Sequence, residues 1–130
     1  MIDAIRTALA GEPFKVWDGD ATPATEYPYV LVLGATPSRG REEDVAACSS
    51  QSNVIIRAVG LSAAHARAAL LLARARLRGL HAESDGVRWA FKFDSCPRHA
   101  QVDRSFIEPV SESHPVFIDD EYTVYGTPVA

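Results

Sequence analysis

The stretch LSAAHARAALLLARARLRGL, residues 61–80, constrains the fold more than any other part of the chain. Alanine, leucine and arginine fill its interior, and these residues have high intrinsic preferences for helix. Ser62 is suited to cap the N-terminus of such a helix, and Gly79 lies where a left-handed residue would end it. One apolar stripe at helical spacing consists of Ala66, Leu70, Ala73 and Leu77. The sequence therefore predicts a long helix that packs on a core through this stripe.

Strand patterns flank this helix on both sides in the chain. YVLVLG (29–34) and SNVIIRAVG (52–60) are continuous apolar runs, long enough for buried strands and too short for helices. VRWAFKFD (87–94) alternates strictly between apolar and polar residues, which is typical of a half-buried strand. Further strands are predicted in FKVWDGD (14–20), near 101–107 and in VFIDDEYTVYGTP (116–128), and a short helix in MIDAIRTALAG (1–11).

Together these elements predict a single α+β domain over residues 1–130. Its sheet is expected to be mainly antiparallel, with about four to six strands packed with one long and one short helix. A chain of 130 residues is long enough to bury a hydrophobic core of its own. The segment at about 35–51 is rich in small and charged residues, and it is predicted to form a long hairpin loop.

Sequence motifs that carry chemistry are weak in this chain. GATPSRG (34–40) lacks the Gly-Lys-Ser/Thr of a phosphate-binding loop, and no serine lies in a Gly-x-Ser-x-Gly turn. Cys96 and His99 have a spacing that zinc ligands use, but a structural zinc site needs a second pair of ligands. We therefore predict a protein that is not an enzyme and has no catalytic residues, cofactor or bound metal. Cys48 and Cys96 are predicted to be free thiols in a reducing compartment.

The formal net charge of −4 argues against a protein that coats nucleic acid, since phosphate neutralisation requires a basic surface. No apolar stretch approaches the roughly 20 residues that a bilayer-spanning helix needs. The segment MIDAIRTALAGEPF also lacks the basic start and apolar run of a signal peptide. The chain is therefore predicted to be made and kept in the cytoplasm, with no membrane partner.

Two groups of charged residues are candidates for contacts with partners. The first is the mixed-sign cluster of the predicted hairpin loop, which consists of Arg39, Arg41, Glu42, Glu43 and Asp44. Such a cluster is usual in an exposed loop, and it would order on a partner if the protein assembles. The second lies on a flank of the predicted long helix and consists of Arg67, Arg74 and Arg78. A solvated helix face explains these arginines without a ligand, and a phosphate backbone or a neighbouring subunit are the alternatives.

A third candidate is Asp120 in the last predicted strand. Alternation along this strand leaves Asp119 and Glu121 on its wetter side and puts Asp120 in register with the apolar positions. Asp120 therefore requires either a bulge that turns it outward or a cationic partner, such as an arginine of a neighbouring subunit. A metal is disfavoured because no second ligand group is present nearby in the sequence.

Four motifs follow one another between Tyr27 and Pro128, namely YPYVLVLG, VIIRAVGLSAAHARAALLLARARLRGL, DGVRW and HPVFIDDEYTVYGTP. Their ordered combination resembles the tail terminator proteins of long-tailed bacteriophages, especially those that infect actinobacteria. In that family a proline-initiated strand precedes a long hairpin, and a strand ending in Val-Gly leads into an Ala/Arg-rich helix closed by Gly. The last strand carries a Phe and a Tyr before Thr-Pro. The corresponding positions here are Pro28, Val59-Gly60, Gly79, Phe117, Tyr122 and Thr127-Pro128, with the Phe–Tyr step shorter than in the family.

The resemblance implies a structural virion protein that is assembled in the host bacterial cytoplasm. Members of the family form a ring, usually of six subunits, that caps the tail tube once the tube has reached full length. The implied partners are further copies of the chain, the tail tube protein and the head–tail connector or stopper protein. Genomic DNA passes through the lumen of the ring without specific binding. The alternatives are another phage neck or tail subunit, such as a head-completion or tube protein, and a small cytoplasmic α+β enzyme or ligand-binding domain.

Overall fold

The computed structural model describes residues 1–19, 26–37 and 50–129 of the chain. Two helices and seven strands lie in these ranges. In chain order they are α1 (Ile2–Ala8), β1 (Lys15–Asp18), β2 (Tyr29–Pro37), β3 (Ser50–Gly60), α2 (Ala63–Leu77), β4 (His81–Ser84), β5 (Val87–Ser95), β6 (Gln101–Val102) and β7 (Val116–Pro128). The part of the predicted hairpin loop between Pro37 and Ser50 lies outside the described residues.

The seven strands form one sheet in the order β1-β2-β3-β7-β5-β4, and β6 pairs with β7 off this path. β1 and β2 run parallel, whereas all the other pairs are antiparallel. The predicted α+β class with a mainly antiparallel sheet is therefore confirmed. The sheet has one strand more than the predicted maximum, because the polar segment His81–Ser84 pairs with β5 as a short edge strand.

The predicted strand near 101–107 is confined to Gln101–Val102. It ends there because the Asp103 carboxylate accepts a hydrogen bond from the backbone N–H of Ser105, at 3.0 Å. A short polar side chain that bonds the backbone two residues on favours a turn over a continued strand. The segment between β6 and β7 is consequently an irregular loop.

The long helix α2 packs across the middle of the sheet, against β3 and β7. Its predicted stripe is buried, and it shares one core with Ile5 and Leu9 of the α1 region and with the inward residues of β2, β3, β5 and β7. The predicted cap is confirmed, since the Ser62 hydroxyl accepts a hydrogen bond from the His65 N–H at 3.1 Å. Gly79 adopts a left-handed conformation with φ at +73° just after the helix.

Gly60 allows β3 to turn directly into α2. A Cβ atom at this position would lie 2.7 Å from the backbone nitrogen of Ala66, closer than real Cβ contacts. The strand end and the first turn of the helix can therefore touch only because no side chain separates them. This contact fixes where α2 crosses the sheet.

Strand β7 lies between β3 and β5, and its two faces have different surroundings. Ile118, Asp120, Tyr122 and Val124 point toward α2 and are buried, as the alternation predicts. Asp119 and Glu121 point to the opposite side, which we call the open face, and they are partly exposed. Among the described residues, no helix is both long and apolar enough to cross a membrane.

Candidate subunit interface

Asp120 forms a bidentate ion pair with Arg74 of α2. The Arg74 Nε and Nη2 atoms lie 2.8 and 2.7 Å from the two carboxylate oxygens, and Asp120 is 0% exposed. The guanidinium carbon lies 4.8 Å from the centre of the Phe93 ring, so the cation is also placed near an aromatic side chain. These hydrogen bonds to Asp120 raise the pKa of Arg74.

The predicted cationic partner of Asp120 is thus confirmed and is an arginine, whereas the predicted bulge and the neighbouring subunit as the source of the cation are wrong. The cation comes from the same chain and not from a neighbouring subunit. The pairing of β3 with β7 runs in continuous register through the Ile56–Asp120 pair, so no bulge turns the carboxylate outward. The pair joins α2 to the central strand of the sheet, which gives Arg74 and Asp120 a role in positioning the helix.

Cys96 and Tyr122 lie next to this pair, and its charges act on both. Desolvation and the charge of Asp120 raise the pKa of the exposed Cys96 thiol, although Arg74 opposes the shift. The thiolate is the reactive form of cysteine, so a raised pKa lowers the reactive fraction of Cys96. Burial, followed by the charge of Asp120, raises the pKa of Tyr122 as well.

A second bidentate pair, between Arg57 and Asp119, lies on the open face. The Arg57 Nε and Nη2 atoms are 2.8 and 3.0 Å from the carboxylate oxygens, and the guanidinium carbon is 4.2 Å from the centre of the Phe117 ring. The pair lines a depression that also includes Arg98 and Glu121, and a second depression includes Asp94 and Glu121. Within 1–19, 26–37 and 50–129, no three His, Cys, Asp or Glu side chains are grouped in a way that would hold a metal ion.

The outer face of α2 carries apolar residues bordered by arginines. A helix turns by about 100° per residue, so its exposed residues form one continuous surface. We call this surface the α2 outer face, and it consists of Ala64, Arg67, Ala68, Leu71, Leu72, Ala75 and Arg78. Leu71 is 49% and Leu72 is 40% exposed. A helix that is apolar on both sides is usually covered on both sides.

The loop between β6 and β7, residues 103–115, also exposes apolar side chains. Its exposed large hydrophobic residues are Phe106 at 37%, Ile107 at 58% and Val110 at 92%. The Glu108 carboxylate holds the loop tip in shape by accepting hydrogen bonds from the backbone N–H groups of Val110 and Ser111, at 3.1 and 2.6 Å. Hydrogen bonds from Ser111 and Val110 also lower the pKa of Glu108, so this carboxylate stays charged at neutral pH.

The predicted contact residues separate into three groups in the structure. Arg74 and Asp120 are brought together in the buried pair. Arg67 and Arg78 both lie exposed on the α2 outer face. The loop cluster lies outside the described residues and consists of Arg39, Arg41, Glu42, Glu43 and Asp44.

Several exposed apolar residues escaped the sequence analysis. Leu71 and Leu72 lie in the predicted helix, where the leucine-rich run predicts a helix but does not by itself indicate an exposed apolar surface. The positions of the predicted stripe already implied that these two leucines face the other way. Ile107 and Val110 follow no period, so the sequence offers no comparable signal for the loop.

Comparisons with known proteins were made on both sequence and structure. No family model matches the chain, and no curated protein matches it. Its structure is similar to a chain of the solved structure described as "Virion of native gene transfer agent (GTA) particle", with a TM-score of 0.58 and 16% sequence identity. The match covers 95% of this chain and 84% of that chain. At this level of identity the similarity shows a shared fold.

Proposed function

We propose that this chain is a structural virion protein, a tail terminator that caps the tail tube of a phage or phage-like particle. In this role several copies close into a ring, and six is the usual number in the family that the sequence resembles. The ring binds the end of the tail tube on one side and the head–tail connector or stopper protein on the other.

The observation that carries the proposal is the shared fold with a chain of a virion. That likeness extends over 95% of this chain. The order of sequence motifs between Tyr27 and Pro128 independently supports the same conclusion, because it depends on the sequence alone. Fold likeness on its own does not specify function, so the agreement of the two lines is what favours the proposal.

The distribution of exposed side chains also supports a role in assembly. The α2 outer face and the loop 103–115 both expose large apolar residues on a small domain. Exposed apolar patches bordered by polar residues are a usual mark of protein–protein contacts. Arginine is enriched at such contacts, and the α2 outer face contains two arginines.

The net charge of −4 is compatible with a lumen through which DNA moves freely. Like charges on a channel wall and on phosphate oppose adsorption, whereas a basic wall would retain the DNA. We therefore propose that genomic DNA passes through the ring without specific binding.

Deletion of the gene from the genome of its particle tests the proposed function. We expect tails of abnormal length that lack heads, because no ring stops the growth of the tube or provides a surface for the connector. Electron microscopy of lysates gives tail lengths directly, and expression of the chain in trans should restore normal particles.

Other outcomes of the same deletion would contradict the proposal. Loss of all tails would indicate a tube subunit. Particles with heads attached to tails of normal length would show that the chain has no role in tail termination. Binding of purified chain to preformed tail tubes, measured by co-sedimentation, provides a second readout that does not depend on genetics.

A further inference from the structure

We propose that the α2 outer face of one subunit binds the loop 103–115 of the next copy of the same chain. This inference rests on the proposed ring and identifies the two surfaces that would build it. The occupant of the α2 outer face is thus a second copy of the chain, bound head to tail.

The α2 outer face has the composition of the centre and rim of an interface. Leu71 and Leu72 form its apolar centre together with exposed alanines, which allow another chain to approach closely. Arg67 lies at one border of this centre, and the exposed Arg78 follows the helix end with its guanidinium carbon 5.7 Å from the centre of the Phe93 ring. Protein interfaces commonly place apolar residues centrally and polar or charged residues at the rim.

The loop 103–115 presents complementary apolar groups. Ile107 and Val110 project from a tip whose backbone is fixed by the Glu108 carboxylate. The base of the loop is held as well, since the His114 Nδ1 atom lies 2.7 Å from the Phe106 carbonyl oxygen. A preformed loop loses little conformational freedom on binding, so its contacts contribute more fully to affinity.

The charges of the two surfaces are also complementary. The α2 segment 63–78 contains four arginines and no acid. Two of these arginines are paired within the chain, Arg74 with Asp120 and Arg76 with Glu12. Arg67 and Arg78 have no carboxylate within ion-pair distance among the described residues.

The loop carries the opposite charge. Its carboxylates outnumber its one arginine and are Asp103, Glu108 and Glu112. A basic border on one surface and an acidic border on the other favour contact between two copies and fix their relative orientation. Contact between two α2 outer faces would bring basic borders together, and contact between two loops would bring acidic borders together, so neither pairing is favoured.

The two surfaces are different parts of the subunit. α2 covers one face of the sheet, whereas the loop 103–115 leaves the sheet at the first residue of β7, where Val102 pairs with Val116 and the Asp103 N–H donates to the Pro115 carbonyl at 2.8 Å. A contact between two different surfaces is head-to-tail, and it generates a ring when the rotation between subunits closes.

Three variants of the full chain test this contact by sedimentation velocity. The helix variant carries Leu71→Asp and Leu72→Asp, and the loop variant carries Ile107→Asp and Val110→Asp. Val129→Asp is the matched control, because Val129 is 39% exposed and lies in neither surface. All these positions are exposed, so circular dichroism should show folded chains throughout.

We expect wild type and control to form rings, and each of the other variants to associate about tenfold or more weakly, because aspartate would be buried without a partner. An equimolar mixture of the helix and loop variants should form a heterodimer and stop there. The intact loop of one chain can bind the intact helix of the other, while both outer surfaces of that dimer are disabled.

A cysteine pair captures the same contact if it is weak in dilute solution. Leu72→Cys and Ile107→Cys, in a background with Cys48→Ser and Cys96→Ser, should form a disulfide-linked ladder that ends at the ring size. Each single-cysteine chain can form only dimers. The pair Leu72→Cys with Val129→Cys is the control for random collisions, and we expect it to form far less ladder.

Rings formed by the helix variant or the loop variant would overturn the inference and leave the proposed tail-capping role intact. A cysteine ladder no stronger than that of the control pair would overturn it as well. Failure of the proposed function would appear elsewhere, as tails of normal length after deletion of the gene.

Discussion

Asp119 and Asp120 are neighbours in β7, and each binds an arginine in the same bidentate geometry, yet their surroundings differ completely. Asp120 is fully buried beneath α2, whereas the side chains of Asp119 and Arg57 remain 20% and 31% exposed on the open face. Each guanidinium also lies near a phenylalanine ring. Because the two pairs have similar geometry, we expect their contributions to stability to differ mainly through burial.

Removal of Arg74 should have the largest effect on stability. Arg74→Ala leaves the Asp120 carboxylate buried without its cation, and breaking a buried pair in this way costs about 3–5 kcal/mol. Urea unfolding followed by circular dichroism measures the change in the free energy of unfolding. A loss below about 1 kcal/mol would mean that water reaches Asp120 and that the two pairs are energetically alike.

Replacement of both members of the buried pair should largely reverse this loss. With Arg74→Met and Asp120→Leu, no charge remains buried, and apolar side chains of similar volume fill the site. We expect a free energy of unfolding within about 1 kcal/mol of the wild type, or above it. The same urea experiment checks this, and a double variant as unstable as Arg74→Ala would show that the pair itself supplies the stability.

The hydroxyl groups on the two sides of β7 offer a further contrast. Thr123 donates a hydrogen bond to Asp94 at 2.6 Å, whereas the Tyr122 hydroxyl is buried without a hydrogen-bond partner among the described residues. Tyr122→Phe removes an unsatisfied group and should raise the free energy of unfolding by about 1 kcal/mol. Thr123→Val is the matched variant, and it should lower the free energy of unfolding because it removes a hydrogen bond. If both variants were less stable than the wild type, the Tyr122 hydroxyl would have a hydrogen-bond partner after all.

The difference in alkaline pH dependence between wild type and Tyr122→Phe should report on the buried side of β7, because the raised pKa values of Tyr27, Tyr29 and Cys96 are common to both chains. Burial and the charge of Asp120 raise the pKa of Tyr122 in the folded chain above its ordinary value of about 10. The folded state therefore holds this proton more tightly, and the resulting stability is present below about pH 10 and is lost as the pH rises toward the folded value. Unfolding curves from pH 9 upward should fall more steeply for the wild type than for Tyr122→Phe. Parallel curves would place Tyr122 in contact with water.

Removal of Asp119 should have the smallest effect. A partly exposed pair contributes about 1 kcal/mol or less, and salt screens it. We expect Asp119→Ala to lose no more than this in low salt and still less in 0.5 M NaCl. A loss as large as that of Arg74→Ala would show that the open face is covered, as it would be by a neighbouring subunit.

The sequence was sufficient to predict the α+β class, the long helix with its cap, and the unusual position of Asp120 among apolar residues. It was not sufficient to identify Arg74 as the partner, because the two residues are 46 positions apart in the chain. Arg67, Arg74 and Arg78 recur at helical spacing and appear equivalent in one dimension. Only the position of α2 over β7 separates the paired arginine from the two exposed ones.

The elements that the sequence missed share a physical cause. β4 contains no apolar run and is a strand because β5 offers it backbone partners. The loop 103–115 is defined by side chains that bond its own backbone, and such turns leave no hydrophobic period. A tertiary partner determines the structure of β4, and local hydrogen bonds determine that of the loop. Neither leaves a periodic pattern in the sequence.

The connection between Arg74 and Asp120 would have a mechanical consequence in the proposed ring. Arg67 lies on the α2 outer face two helical turns from Arg74, and Arg78 directly follows the last residue of α2. A pull on this surface is therefore passed through the buried apolar stripe and the ionic link into β7, where backbone hydrogen bonds on both sides share the load. The helix resists being peeled away, and a subunit under tension moves as a rigid block.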